Sequence, residues 1–305
     1  MATAGSCFAQ HIAKHLRKNH YHVLDCEPAP KSMTIESAQR FGFGLYSARF
    51  GNIYYVRQLL QLAREAIMGQ KPEHIIWEKE GRFYDALRPS IEPVGFDAPE
   101  KVELHRAQHV RRVRNMFAEA DVFVYTFGLT EGWVHRASGT VYPTAPGTIA
   151  GEFDANEYVF KNFTFNEVYN DFLEFRELLR TISPDVRFLI TVSPVALAAT
   201  ASGDHILKST IYSKSVLRAV AGELYDKYDD IDYFPSYDLI TGNPTKGRFF
   251  DESLRDVTPA GVECVMRYFF SQHSGRANDQ YGSSEKFSSE ENVLCEDALL
   301  EAFGE

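Results

Sequence analysis

The sequence lacks the features that mark membrane proteins, nucleic-acid-binding proteins and disulfide-stabilised proteins. It contains no apolar run of roughly 18 residues, so no transmembrane helix is expected. Its net charge of −10 argues against a nucleic-acid partner, because a phosphate backbone is bound by clustered lysine and arginine. Nothing like a signal peptide precedes Gly5, which favours a cytoplasmic location. The few cysteines lie far apart without metal-ligand spacing, so neither a disulfide framework nor a metal site is predicted: Cys7, Cys26, Cys264 and Cys295.

The N-terminal segment predicts a strand that turns directly into a helix. Gly5-Ser6-Cys7 follows a run of small residues, and apolar residues then recur with helical spacing from Phe8. Such a turn exposes side chains and unpaired N–H groups, and the positive end of the helix dipole favours a cysteine thiolate there. Cys7 is therefore predicted to be a nucleophile beside an oxyanion site. The alternative is that Cys7 is a small buried residue that only packs.

Strands and helices alternate along the rest of the chain. Apolar runs predict strands at 21–25, 121–127, 186–192 and 231–234, and helical spacing predicts helices at 100–119, 163–182, 212–228 and 258–270. Two small hairpins are predicted at 75–84 and 133–142. The alternation predicts an α/β fold, a three-layer α/β/α sandwich with a parallel sheet of about five strands. One domain is expected over residues 1–273, followed by a flexible polar tail at 274–305 with a short helix at 293–303.

The polar and glycine-containing segments lie where the predicted strands end. They are Gly5–Cys7, Gly128–Glu131, Ser193–Val195 and Pro235–Asp238, whereas the strands themselves are apolar. The carboxyl ends of parallel strands meet at one edge of a sheet, where ligands of open α/β folds bind. The sequence therefore predicts one site on that edge.

Several motifs carry a resemblance to a known family. Gly5-Ser-Cys-Phe-Ala9 resembles the signature of the GSCFA-domain family, which is distantly related to the SGNH (GDSL-type) hydrolases. Further similar segments extend the resemblance to about residue 270: Phe50–Tyr54, Thr126–Trp133, Thr191–Val195, Ser213–Arg218 and Tyr233–Tyr237. The resemblance implies a flavodoxin-like fold of the SGNH type.

The resemblance also implies roles for individual residues. SGNH enzymes use a serine nucleophile after a glycine, oxyanion donors from a glycine and an asparagine, and a late Asp-x-x-His pair. By position, Cys7 takes the place of the nucleophile and Ser6 the place before it. The oxyanion donors fall on Gly51, with Asn52 beside it, and on the block Gly128–Thr130, where Thr130 replaces the asparagine. The late pair is absent, because Ser253 and Asp256 stand where the aspartate and the histidine are expected.

Several histidines and one carboxylate are candidates to replace the missing base. His205 is the best substitute because it lies in the loop after a strand, on the same edge as Cys7. His11, one helical turn after Cys7, and His135 are weaker candidates. Glu131 also lies on this edge and would act as a base or orient a histidine; otherwise it forms a salt bridge with Lys214 or Arg218.

Two functions follow from these observations. The first is an esterase or acyltransferase that acts through Cys7 on a glycan or a hydroxylated metabolite, with an acyl donor as a second ligand and no cofactor. Gly51, Asn52, Gly128, Thr130, Ser193 and Asp238 would line its substrate and oxyanion site. The second is a non-catalytic binding protein that keeps the cleft without the late pair. The glycan substrate depends on the family resemblance alone.

Overall fold

The computed structural model describes residues 1–273, and the predicted tail and its short helix lie outside the described residues. The strands are β1 (Ala2–Gly5), β2 (Ile76–Lys79), β3 (Arg82–Asp85), β4 (Val122–Phe127), β5 (Glu131–His135), β6 (Val141–Tyr142), β7 (Tyr158–Asn162), β8 (Arg187–Val192) and β9 (Ile231–Phe234). The helices are α1 (Phe8–Lys18), α2 (Ile35–Arg40), α3 (Val56–Ala63), α4 (Pro99–Glu119), α5 (Phe165–Arg180), α6 (Ile206–Lys227), α7 (Ser236–Thr241) and α8 (Pro259–His273). A π-helical turn, Arg64–Met68, extends α3, and a 3₁₀ turn, Asn243–Thr245, follows α7.

The main sheet is parallel and has the strand order β1-β4-β8-β9. Gly5 pairs with Thr126, Thr126 with Thr191, and Thr191 with Phe234, so the four strands end in line at one edge. This confirms the predicted α/β fold and places the polar turns after the strands along that edge. The sheet has four strands, however, rather than about five.

The segment predicted as a fifth strand, 21–25, forms no strand. It makes two backbone hydrogen bonds with Met1, from the N–H of Leu24 and to the carbonyl of His22. Beyond Met1, Ser47 lies along the edge of β1, and its side-chain oxygen accepts a hydrogen bond from the N–H of Thr3 at 3.0 Å. The short apolar run therefore lies beside the sheet without extending it, because another part of the chain occupies that edge.

Alternate residues of the central strands face two separate helical layers. Phe123, Tyr125 and Phe127 of β4 pack in a cluster with residues of α3, α4, α5 and α6. Val124 faces the opposite side, in a smaller cluster with residues of α1 and α8. This alternation is that of a strand buried on both faces, and it completes the three-layer α/β/α arrangement.

Both predicted hairpins form outside the main sheet. β2 and β3 pair antiparallel, with Trp77 opposite Tyr84. β5 and β6 pair as predicted, and β7, which the sequence interpretation missed, adds a third antiparallel strand on the other side of β5. The side chains of β7 are mostly half-buried, so it shows little of the apolar alternation that would have identified it.

The predicted long helices are present, with one shifted boundary. α6 begins at Ile206 rather than near residue 212, because the side chain of His205 caps its first turn. The start of α5 is fixed by a capping box between Thr164 and Glu167. Within residues 1–273, none of the helices combines the length and the apolar character that a membrane span requires.

Candidate active site

The turn after β1 is possible only with glycine at position 5. Gly5 has a φ of +140°, and a Cβ atom there would lie 2.6 Å from the carbonyl oxygen of Thr126. The N–H of Ser6 donates to the same oxygen at 3.3 Å. The absence of a side chain thus lets β1 approach β4 closely and then turn at once into α1.

Cys7 occupies the N-cap position of α1, at the positive end of the helix dipole. The first helical hydrogen bonds run from Ala9 to the carbonyl of Ser6 and from Gln10 to that of Cys7. The Cys7 N–H forms no hydrogen bond in the part of the chain that the structure describes. Cys7 is buried, with 6% exposure, beside this unused backbone donor. A nucleophile next to an oxyanion site and a small cysteine that only packs are both compatible with this arrangement.

Ser6 points away from solvent and towards the turn after β4. It is 3% exposed, and its Oγ has no hydrogen-bond partner. A Cβ atom added at Gly128 would lie 2.8 Å from the Cβ atom of Ser6, so the two turns are in direct contact. The N–H groups of Gly128 and Leu129 donate to the Tyr54 carbonyl at 3.1 and 2.9 Å, which leaves neither amide for an oxyanion.

A buried polar network joins the opening turn to Asn52. The phenol oxygen of Tyr46 lies 3.1 Å from the carbonyl oxygen of Ser6 and 2.5 Å from Asn52 Oδ1. Gln10 donates to Tyr46 at 3.2 Å, and Asn52 Nδ2 donates to the hydroxyl of Tyr54 at 3.2 Å. The structure therefore brings Asn52 to Ser6, and it uses the Asn52 amide to hold the loop.

Gly51 supplies a second unused backbone donor near the same turn. Its φ is +69°, and Ile53, two residues later, donates to the Gly5 carbonyl at 2.9 Å. As for Cys7, no acceptor for the Gly51 N–H exists among the described residues. The loop that holds Gly51 is thus fixed against the turn that holds Cys7 by one backbone bond and by the network around Asn52.

Thr130 and Glu131 are buried and have partners of their own. The N–H of Thr130 donates to Ser213 Oγ at 2.9 Å, and its hydroxyl donates to Asn162 Oδ1 at 2.7 Å. Glu131 accepts a hydrogen bond from the hydroxyl of Thr200 at 2.9 Å, and burial raises the pKa of this carboxyl group. Thr130 therefore has no spare hydroxyl hydrogen, whereas Glu131 is a carboxyl group that holds its proton more readily than an exposed glutamate does.

Lys214 and Arg218, the alternative partners predicted for Glu131, contact other groups. Lys214 is 3% exposed, and its Nζ donates to the Gly128 carbonyl at 2.5 Å. Arg218 donates to Asp238 Oδ1 at 2.8 Å, and Tyr233 donates to the second oxygen of the same carboxylate at 2.5 Å. The contact between Lys214 and Gly128, which the sequence interpretation missed, fixes the turn that touches Ser6.

Ser193 and His205 complete the predicted set, and each has hydrogen-bond partners other than Cys7. Ser193 is buried at the end of β8, and its N–H donates to the Phe127 carbonyl at 2.8 Å. His205 is exposed, and its Nδ1 accepts from the N–H of Leu207 at 3.2 Å to cap α6. The structure thus packs Ser6 against Gly128 and links it to Asn52 through Tyr46, but it leaves His205 engaged in a helix cap.

The segment in place of the late Asp-x-x-His pair forms an exposed loop beside the end of β8. Ser253 donates to Asp251 Oδ1 at 2.5 Å, and Arg255 Nε lies 3.4 Å from the carbonyl oxygen of Ala196. The loop therefore adjoins the segment after β8, on the edge of the sheet where the strands end. Within residues 1–273, no group of three or more His, Cys, Asp or Glu side chains could hold a metal ion.

Together, the fold and the site define a class: a three-layer α/β/α protein whose polar turns meet at the carboxyl edge of a parallel sheet. The family model of the GSCFA family matches residues 1–269. The chain belongs to the GSCFA family. A search of the curated proteins found no match to this sequence.

Proposed function

We propose that the protein is an acyl-transfer enzyme, an esterase or acyltransferase that acts on a glycan or another hydroxylated metabolite through Cys7. One observation carries the proposal. Cys7 lies at the N-terminus of α1, and its own N–H and that of Gly51 have no acceptor among the described residues. When the Cys7 sulfur attacks an ester, the carbonyl oxygen of the substrate becomes an oxyanion, and two such donors would stabilise it. The resemblance of the sequence motifs to those of SGNH hydrolases favours the same reaction class.

The reaction proceeds in two steps that share one covalent intermediate. The Cys7 thiolate attacks the carbonyl carbon of an ester, a C–S bond forms, and the N–H groups of Cys7 and Gly51 donate to the oxyanion. The C–O bond then breaks, and the leaving alkoxide takes a proton from His205 or Glu131. In the second step, water or an acceptor hydroxyl loses its proton to the same group, attacks the thioester and releases the thiolate.

Position in the turn favours Cys7 over Ser6 as the nucleophile. Both residues are buried, but the Ser6 hydroxyl is enclosed against Gly128, whereas Cys7 lies at the start of α1. His205 is the first choice for proton transfer, but its Nδ1 must leave the α6 cap before it can accept a proton. Glu131 competes for this role because burial raises the pKa of its carboxyl group.

An ester with a good leaving group tests Cys7 separately from the base. The leaving group of p-nitrophenyl acetate needs no protonation, so the acyl-enzyme forms even when His205 and Glu131 contribute nothing. Mass spectrometry after an acid quench should find one acetyl group on the Cys7 peptide of the wild type and of Ser6→Ala. It should find none on Cys7→Ala. Acetylation of Ser6, or no acetylation at all, would refute the Cys7 mechanism.

A second candidate is a binding protein that keeps the site and performs no chemistry. Two observations favour it: Ser253 and Asp256 replace the expected pair, and His205 is used as a helix cap. This candidate predicts that glycans or hydroxylated metabolites raise the unfolding temperature while p-nitrophenyl acetate leaves no acyl group on the protein. Stoichiometric acetylation of Cys7 followed by turnover would contradict it.

A further inference from the structure

The segment that holds Gly51 is fixed through both backbone polar groups of Arg49, two residues earlier, by two hydrogen bonds that together form a grip on this residue. The N–H of Arg49 donates to Glu27 Oε2 at 2.6 Å. The carbonyl oxygen of Arg49 accepts a hydrogen bond from Arg88 Nη1 at 3.1 Å. Glu27 and Arg88 come from distant parts of the chain, so two side chains fix the backbone direction with which this segment approaches Gly51.

His109 completes this grip from α4. Its Nδ1 lies 2.7 Å from the same oxygen of Glu27, and its ring packs edge-on against Phe50. Burial lowers the pKa of His109 to about 4. Burial acts to raise the pKa of Glu27, but the hydrogen bond and charge of His109, with Arg88, outweigh it and bring the value to about 2. At neutral pH a neutral imidazole therefore donates from Nδ1 to a carboxylate, which leaves the carboxylate oxygen free to accept from Arg49 as well.

Arg88 is held in turn by a buried ion cluster. Its Nε donates to Asp85 Oδ2 at 2.7 Å, and Asp85 also accepts hydrogen bonds from Arg106. Arg106 forms a second ion pair with Glu65, which follows α3. All four side chains are less than 10% exposed. Arg88, and through it the backbone of Arg49, is therefore held by a network of ion pairs that connects α4 with β3 and with the turn after α3.

The segment borders a small cavity, which is lined in part by Phe50, Ile53, Arg88 and His109. Its Gly51 end is fixed by the hydrogen bond from Ile53 to the Gly5 carbonyl and by the network around Asn52. The grip on Arg49 fixes its other end, so both sets of hydrogen bonds set the direction of the Gly51 N–H.

We propose that Glu27, Arg88 and His109 are positioning residues of the acyl-transfer site, which hold the segment from Arg49 to Ile53 so that the Gly51 N–H points at the oxyanion. The inference rests on the proposed function for its chemical consequence. An oxyanion donor acts on the transition state more than on the bound ester. Loss of the grip should therefore lower kcat and leave KM nearly unchanged.

The test compares His109→Leu, which removes the donor to Glu27, with His109→Asn, whose amide can restore it. With p-nitrophenyl acetate, His109→Leu should lower kcat roughly 10- to 100-fold and change KM by less than about twofold. The loss in kcat stays below the roughly 100- to 1,000-fold known for complete removal of one oxyanion donor, because the Gly51 N–H is displaced rather than removed. His109→Asn should recover most of the kcat. Alkylation of Cys7 by iodoacetamide should proceed at the wild-type rate in both variants, because the nucleophile lies outside the grip.

Hydrogen–deuterium exchange supplies a measurement that needs no turnover. The N–H groups of Arg49 and Ile53 are both hydrogen-bonded, so their exchange reports the segment directly. They should exchange faster in His109→Leu than in His109→Asn. If His109→Leu does not fold, Glu27→Gln, which removes the charge at nearly constant volume, is measured in its place.

Two results overturn the inference. The first is equal exchange of Arg49 and Ile53 in the wild type and the variants, whether or not the protein turns over. The second is a fall in kcat that His109→Asn does not recover or that a slower Cys7 alkylation accompanies. A wild type without any turnover would instead refute the proposed function, and faster exchange in His109→Leu would still support the grip on the segment.

Discussion

Gly128 and Ser6 are packed so closely that a Cβ atom on Gly128 would lie 2.8 Å from the Cβ atom of Ser6. The same added atom would lie 2.7 Å from the carbonyl oxygen of Tyr54. Gly128 has no positive φ, so space, rather than backbone conformation, requires glycine here. The contact joins the turn after β4 to the opening turn and makes the position of each depend on the other.

Gly128→Ala should therefore destabilise the protein by about 1–3 kcal/mol, because the new methyl group forces backbone atoms of Tyr54 or the Ser6 side chain to move. Chemical denaturation of the variant measures this change. Gly222→Ala is the matched control, since Gly222 lies inside α6 and its added Cβ meets only the end of the Arg218 side chain. That control should be neutral or stabilising by up to about 1 kcal/mol. Equal effects of the two substitutions would show that the turns are not in contact.

Ser6→Ala and Cys7→Ser should differ in their effect on activity, while neither should lower stability appreciably. Ser6→Ala removes a buried hydroxyl without a partner, so stability should stay constant or rise by about 1 kcal/mol, and activity should persist. Cys7→Ser should lose most activity, because a serine hydroxyl is a far weaker nucleophile than a thiolate. Thermal unfolding and hydrolysis of p-nitrophenyl acetate are measured on both variants.

Two other results would assign Cys7 a different role. If Ser6 is the nucleophile, the two activity results exchange. If Cys7 only packs, Cys7→Ser should destabilise the protein by about 1–3 kcal/mol through an unpaired hydroxyl, with no turnover to lose.

Acid should destabilise the protein through His109 and Glu27, in two successive windows. Burial lowers the pKa of His109 from 6.5 to about 4 in the folded state, so the unfolded chain binds more protons between these values. Its contribution to stability is therefore lost as the pH falls from 6.5 towards 4. The lowered pKa of Glu27 adds a loss as the pH falls from 4.5 towards 2, since this carboxylate is stabilised only while it is ionised.

Urea denaturation of the wild type and of His109→Asn between about pH 5 and pH 7.5 isolates the first window. The wild type should lose on the order of 1 kcal/mol per pH unit more than the variant below pH 6.5. Comparison with the variant removes the contributions of the other titrating groups. Parallel curves would show that His109 is not buried in its neutral form.

Arg106→Met should cost about 3–5 kcal/mol, because it leaves the Glu65 carboxyl group buried without its ion-pair partner. The double variant Arg106→Met with Glu65→Leu should recover much of the loss, since it removes the uncompensated charge as well. Lys101→Ala on the same helix breaks the exposed pair with Asp97 and should leave the unfolding midpoint nearly unchanged. Denaturation of the three variants at pH 7 measures these differences. A double variant that is as unstable as Arg106→Met would refute this explanation.

The sequence by itself determined the local elements of this protein. The apolar run at 121–127, the helical spacing after Phe8 and the turn at Gly5 each depend on neighbours within a few residues. The strand, helix and turn that they predict are all present, and they bring Cys7 to the start of α1. Parallel pairing then requires the ends of the main strands to lie at one edge. Where a local signal was weak, as in β7, or an edge was already occupied, as beside β1, the interpretation was incomplete or wrong.

Only the tertiary structure decided which side chains meet at the turn and which of them are already engaged. Tyr46 reaches Ser6 across 40 residues of sequence, and His109 reaches Glu27 across 82. The spacing of apolar residues along the sequence does not predict such contacts, because these hydrogen bonds depend on distances that are set by the packing of whole helices and strands. The sequence likewise predicts His205 as the base but does not indicate that its Nδ1 accepts a hydrogen bond in the first turn of α6.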